Sequence, residues 1–196
     1  PSTFVDIVGQ RGAVASLELA AAAALKQDRM PAPTLLLGAS GLGKTTLARA
    51  FANALRGRLR VIDAPTLDSP LTLLGHLMGA RDRDVLFFDE IHALPTRLAE
   101  ALYQAIEDGV IDLTFTDGLR SKSVRLVLPR LSFVGATTNP ESMPGPLLGR
   151  FVRQVTEVGI ATIAQTSRLT PGDRRLYALR DATGTVPAAG LIAASV

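Results

Sequence analysis

The chain has 196 residues, 47% of them hydrophobic, a formal net charge of +3 and no cysteine, enough for one domain, or one domain with a small appendage, around a sizeable core. The missing cysteine excludes disulfides, zinc–thiolate sites and thiol catalysis, and His76 and His92 alone are too few imidazoles for a dedicated metal cluster, so any metal is expected to be oxygen-bound. No apolar run approaches the roughly 18 residues of a membrane helix and Pro1-Ser2-Thr3-Phe4 lacks the parts of a signal peptide, so no membrane association and a cytoplasmic location are expected. Of the 21 basic residues only Lys26, Lys44 and Lys122 are not arginine, and their scatter permits nucleic-acid contact without demanding it.

Arg11 to Asp28 carries apolar residues at helical spacing around an Ala-rich middle and ends near Arg29-Met30-Pro31. Leu35 to Leu37 reads as a short buried strand. Lys44 to Arg56 consists of good helix formers and stops at Gly57, and Leu59 to Ile62 is the next strand. Ser69 caps and Pro70 opens a short helix running to Gly79. Val85 to Phe88 is a fully apolar strand, and Thr96 is expected to cap a helix through Ile106 that ends at Gly109. From Val110 the period changes to two. Ile111, Leu113 and Phe115 alternate with Asp112, Thr114 and Thr116, and Val124, Leu126 and Leu128 repeat the pattern. This predicts a β-hairpin with a polar, basic tip from Asp117 to Ser123 that carries one apolar residue, Leu119. Leu131 to Ala136 and Val152 to Val158 read as the remaining strands, and the less regular residues after them as a helical appendage. Short apolar strands alternating with helices give an α/β fold with a doubly wound parallel sheet and one hairpin insertion.

Gly38-Ala39-Ser40-Gly41-Leu42-Gly43-Lys44-Thr45 satisfies the spacing G-x-x-x-x-G-K-[ST] and lies between a strand and a helix, with Thr46 following. Glycines there let backbone N–H groups turn toward phosphate oxygens, the helix N-terminus adds positive potential, Lys44 reaches the outer phosphates and Thr45 holds Mg²⁺. Phe87-Phe88-Asp89-Glu90 supplies a second half. Asp89, ending a buried strand, holds the metal through water, and Glu90 polarises an attacking water; alone, such a pair is more often a solvated strand end. Thr137-Thr138-Asn139 is read either as a γ-phosphate sensor at the carboxyl edge of the sheet or as a strand-ending turn before Pro140. Arg150 is either an arginine finger acting across a subunit interface or an exposed surface arginine. His92 is read as a hydrogen-bonded structural histidine, His76 likewise. The hairpin tip is a docking point for a protein or nucleic-acid partner, or simply solvated.

Taken together these stretches resemble the AAA+ ATPases, and among them the RuvB family of Holliday-junction branch-migration motors. The resemblance rests on Phe4-Val5-Asp6-Ile7-Val8-Gly9-Gln10, GLGKTTLA, DVLFFDEIHAL, EALYQAIEDGVIDL, SVRLVLP, LSFVGATTN and PLLGRF, in that order, over residues 4–152. It implies an AAA+ core over 1–155 and a partial or divergent helical lid over 156–196, without the family's winged-helix domain. Adenine contacts are implied for the Phe4–Gln10 segment, Ile7 and Val8 included, with phosphate contacts from Gly38, Gly41, Leu42, Gly43, Lys44, Thr45 and Thr46. Thr45 and Asp89 would serve Mg²⁺, Glu90, Lys44 and Arg150 catalysis, and Thr138 the first sensor. The hairpin, through Leu113, Phe115, Leu119, Arg120 and Val124, would engage a RuvA-type junction-recognition protein. A homo-hexameric ring would pull duplex or junction DNA using ATP.

Departures from the family pattern are Ala39-Ser40 in the loop, Asn139 where arginine is usual, and Pro187 in the slot of the lid arginine. Weak or absent lid closure on ATP is therefore the expectation. The competing readings are a clamp-loader-like or replication-associated AAA+ ATPase and a nucleotide-binding interaction module that hydrolyses ATP poorly.

Overall fold

A computed structural model describes residues 3–117, 120–151, 153–156 and 161–162. In chain order the elements begin with β1 (Ile7–Val8), α1 (Arg11–Lys26), β2 (Thr34–Leu37), α2 (Lys44–Ala54), β3 (Leu59–Asp63), α3 (Pro70–Met78) and β4 (Val85–Asp89). They continue with α4 (Thr96–Asp108), the hairpin strands β5 (Val110–Asp117) and β6 (Arg120–Val127), then β7 (Ser132–Thr137), α5 (Gly145–Leu148), β8 (Arg153–Thr156) and β9 (Ala161–Thr162).

The central sheet has five strands in the order β3-β4-β7-β2-β8, every neighbouring pair parallel. Both faces of the inner strands β4, β7 and β2 are covered, which is why these three are largely apolar and buried almost throughout. Leu35, Leu86, Phe88 and Phe133 join one core with Leu73, Leu98, Leu102 and Leu147 of α3, α4 and α5. Leu36, Val85, Phe87 and Val134 join the other with Leu17, Leu47 and Phe51 of α1 and α2. Alternate residues of one strand thus serve opposite layers. Each fully buried Leu or Phe side chain contributes about 1.5–3 kcal/mol, so the two layers hold the sheet's carboxyl edge rigidly.

The junction between α2 and β3 differs from a simple glycine stop. Arg56 N–H donates to Asn53 O and Gly57 N–H to Ala52 O, each at 3.0 Å, with Arg56 itself in the left-handed region at φ 60°. This is a Schellman ending in which arginine takes the left-handed position. Glycine is required one residue later for a different reason: a Cβ on Gly57 would lie 1.7 Å from the carbonyl oxygen of Arg83.

Two expectations need correction, and one pairing was not expected. Thr96 is the first helical residue of α4 and Pro95 occupies the cap, because the proline's extended backbone leaves its carbonyl to accept from Leu98 and Ala99 N–H at 2.8 and 2.9 Å. The hairpin pairs as far as Asp117 with Arg120, so only two residues, Gly118 and Leu119, separate the strands and the polar stretch belongs to the ladder. Its Thr and Ser suit strands, and Thr114 Oγ1 and Ser123 Oγ pair across it at 3.1 Å. β1 and β9 form an unforeseen antiparallel pair, Ile7 with Thr162 and Val8 with Ala161. The expected appendage beyond residue 162, including Pro187, lies outside the described residues.

Gly57→Ala should destabilise the chain by about 1–3 kcal/mol, the usual cost of overpacking, and lower the urea midpoint without changing the slope. An unchanged midpoint would show that the Arg83 backbone yields freely.

Candidate functional site

Because β2, β4 and β7 run parallel, the segments after Leu37, Asp89 and Thr137 all leave the same edge of the sheet. Beside β2 the connections diverge: the chain passes over to β3 on one flank and returns to β8 on the other. Open α/β sheets bind ligands at such a switch point.

The loop after β2 turns through left-handed glycines, Gly41 at φ 81° and Gly43 at φ 90°, and Gly38 N–H ties it to Thr137 O at 3.3 Å. Lys44 begins α2 and is 6% exposed. Its Nζ donates to Gly38 O and Ala39 O, both at 3.0 Å. Among the described residues no carboxylate pairs with this buried ammonium, whose charge is met only by carbonyl dipoles. A loop turned by left-handed glycines, a helix N-terminus and a buried cation without an acidic partner among the described residues form a site suited to a polyphosphate.

Glu90 follows β4 in the left-handed region, φ 46° and ψ 48°, an uncommon conformation for glutamate. Its N–H donates to Asp89 Oδ1 at 3.1 Å. Glu90 Oε2 accepts from Thr138 Oγ1 at 3.1 Å and Thr138 N–H at 3.3 Å, and His92 Nδ1 lies 3.2 Å away. The same His92 Nδ1 is 2.9 Å from the hydroxyl of Thr137, which is fully buried and also accepts Asn139 N–H at 3.0 Å. The two residues assigned separate roles in the sequence, Glu90 and Thr138, are directly bonded. His92 has the hydrogen bond expected of it and stands beside Glu90 as well. Its signal in the sequence was the spacing Glu90-Ile91-His92: Glu90 caps the single 3₁₀ turn Ile91–Ala93, which the buried Ile91 anchors and which carries His92.

Other expected residues are distributed around this cluster. Thr45, Thr46, Leu42, Gly38 and Gly43 are half-buried and Gly41 is exposed, along the loop and the start of α2. Ile7 is buried and Val8 half-buried in β1, and Gln10 behind them has a buried Nε2 with no hydrogen-bond partner. Arg150 bonds elsewhere, to Tyr103 and Glu107 of α4. Sequence reasoning passed over both, although their four-residue spacing on a helix marks a shared face. In the hairpin, Val124 is half-buried and pairs with Leu113. Phe115 pairs with Lys122 and Arg120 with Asp117. Leu119 falls outside the described residues. Among those described, no group of three or more His, Cys, Asp or Glu gathers as a metal site, and no helix is long and apolar enough to cross a membrane.

A strand–glycine loop–helix unit with its lysine, and an acidic pair at the end of β4, one strand removed across β7, define a P-loop nucleotide-binding domain of the α/β class. The chain belongs to the RuvB family: residues 1–156 match the family described as the Holliday junction DNA helicase RuvB P-loop domain. It is 40% identical over 151 residues to the Holliday junction branch migration complex subunit RuvB of Staphylococcus haemolyticus, an alignment covering 77% of this chain and 46% of that protein. The corresponding subunit of Fusobacterium nucleatum is 36% identical over 151 residues, with 77% of this chain and 46% of that protein covered. The solved structure of the Thermotoga maritima RuvB Holliday junction branch migration motor superimposes with a TM-score of 0.71 at 30% identity, covering 89% of this chain and 52% of that one. The chain thus spans about half the length of the relatives it matches. Membership of this family sets aside the clamp-loader-like alternative.

Thr138→Val removes the hydroxyl that holds Glu90 Oε2 and keeps the side chain's shape. ATP affinity should stay unchanged while turnover falls about 3- to 10-fold, the worth of one hydrogen bond. Equal turnover in the variant would dissociate this bond from catalysis.

Proposed function

We propose that the chain is the ATP-hydrolysing core of a RuvB-type motor that drives Holliday-junction branch migration as a homo-hexameric ring, together with a junction-binding partner. The observation that carries this reading is the convergence of Lys44, the Asp89–Glu90 pair and Thr138 on one edge of the sheet, in a family of branch-migration subunits.

The P-loop backbone and Lys44 bind the phosphates, and ATP relieves the buried ammonium of its missing counter-charge. Thr45 and Asp89 are the residues that would hold Mg²⁺, which supplies charge neutralisation at the outer phosphates when bound. Glu90, steadied by Thr138, takes the proton of the attacking water or orients it. A rigid carboxylate at the right place contributes more to rate than a free one, because its ordering is complete before the reaction. The orphaned Nε2 of Gln10, in the segment assigned to the base, costs about 1–3 kcal/mol until an acceptor arrives, which supports nucleotide contact there.

Residues 1–155 are the ATPase core in this reading and 156–196 the divergent lid. Arg150 serves a neighbouring chain's nucleotide. The hairpin, with Leu113, Phe115, Leu119, Arg120 and Val124, receives a RuvA-like partner, DNA is gripped outside the core, and the setting is the cytoplasm.

Glu90→Gln should retain ATP binding and reduce steady-state hydrolysis by about 10²- to 10⁴-fold, measured beside the affinity for a fluorescent ATP analogue. Unchanged turnover would remove Glu90 from the mechanism. Arg150→Ala should lose about 10³-fold or more, and mixing it with Glu90→Gln chains should restore activity, because some composite sites then hold an intact Glu90 and an intact finger. Demonstrably mixed rings without recovery would count against action in trans.

A further inference from the structure

Arg150 follows α5, yet α4 receives its guanidinium from two directions. Nη2 donates to the Tyr103 hydroxyl and, at 2.8 Å, to Glu107 Oε2, while Cζ lies 4.4 Å from the centroid of the Tyr103 ring. The edge of the planar group is therefore held by two oxygens and its face by an aromatic ring. Nε is shut off from solvent without a partner, and among the described residues nothing bonds Nη1. Tyr103 and Glu107 stand one turn apart on α4, so a single helix face supplies both contacts.

As a stability device this cluster is weak, since the Arg150 and Glu107 side chains remain 37% and 43% exposed and exposed ion pairs contribute little. As an orienting device it is strong. Arginine loses much rotamer freedom whenever it must present its fork in one geometry, and here that freedom is lost before any phosphate is met. The hydrogen bond to Tyr103 raises the Arg150 pKa, partial burial opposes it, and the nearby Glu107 charge raises it again, which keeps the group cationic. Tyr103 also lines an open groove of about 500 Å³ between α4 and α5, so one side of the cluster opens to the surface.

We propose that Tyr103 and Glu107 are positioning residues for Arg150, a socket that anchors the guanidinium through Nη2 and the ring face and leaves Nη1 to meet the nucleotide phosphate of a neighbouring chain. This rests on the reading of Arg150 as a finger acting in trans. The socket acts on the rate of the neighbour's hydrolysis and not on the affinity of the chain's own P-loop.

The test is steady-state ATPase of the full chain, at concentrations where the rate per chain has reached its plateau, for Tyr103→Phe, Glu107→Gln, Arg150→Ala and the double variant Glu107→Gln/Arg150→Ala. Tyr103→Phe retains the ring face and Glu107→Gln is isosteric, so the two report on the socket independently, with urea midpoints as the check on folding. Each single socket variant should lower kcat about 5- to 20-fold with KM and ATP-analogue affinity within about 2-fold of the parent, since only transition-state contacts are touched. The double variant should be no slower than Arg150→Ala, because residues acting through one group are not additive. Mixing Glu107→Gln with Glu90→Gln chains should restore activity as it does for Arg150→Ala. Unchanged or increased kcat in both socket variants, a further loss in the double variant, or failure to recover in rings where Arg150→Ala does recover would overturn the socket. An Arg150→Ala chain with normal kcat would instead overturn the trans-finger reading, and the socket with it.

Discussion

β7 enters the sheet between β2 and β4 and pairs in parallel with both, Thr137 beside Leu37 and Gly135 beside Phe88. That placement brings the P-loop, the acidic pair and Thr137-Thr138 together although they are far apart in the chain. Thr137 holds the arrangement from inside. Its carbonyl receives Gly38 N–H from the loop, and its buried hydroxyl meets both Asn139 N–H and His92. A small displacement of β7 would thus be felt at the phosphate loop and at Glu90 together.

α4 is the second organising element. It starts just beyond the turn that carries Glu90 and His92, presents Tyr103 and Glu107 to Arg150, and ends at Gly109, whose left-handed backbone leads directly into the hairpin. Leu128 N–H closes the hairpin base on Gly109 O at 2.8 Å, and Ile111 is fully buried in the core that α4 shares. One helix therefore joins the turn that carries Glu90, the side chain of Arg150 and the base of the hairpin. Its own stability comes from Leu98, Leu102 and Ala105, which bury one side while the charged positions remain outside.

Several local arrangements are unfavourable by themselves. Among the described residues, Glu90 lies in the left-handed region, Gln10 and Arg150 each carry a buried nitrogen without a partner, and Lys44 is buried without a counter-ion. In the proposed reading all four belong to the nucleotide site or to the finger acting on a neighbour's. Strain and unmet polar groups persist where the surrounding packing enforces them. The two apolar layers, with their fully buried Leu and Phe side chains, provide that enforcement.

The sequence by itself determined the parts that depend on local pattern. Continuous apolar strands, the glycine loop before Lys44, the change of period at Val110 and the acidic pair after Phe88 are each written within a few neighbouring residues, and apolar strands alternating with helices favour a covered parallel sheet. Ends of elements were less legible, because they depend on distant backbone: Gly57 is needed for the approach of Arg83, and the hairpin's polar stretch stays paired since cross-strand contacts decide it. Only the tertiary structure decided the bond of Glu90 to Thr138, the approach of His92 to Glu90 and the seating of Arg150 on Tyr103 and Glu107. Each of these joins side chains from separate elements, and no local periodicity encodes which strand ends and helix faces the sheet order will bring within hydrogen-bond reach.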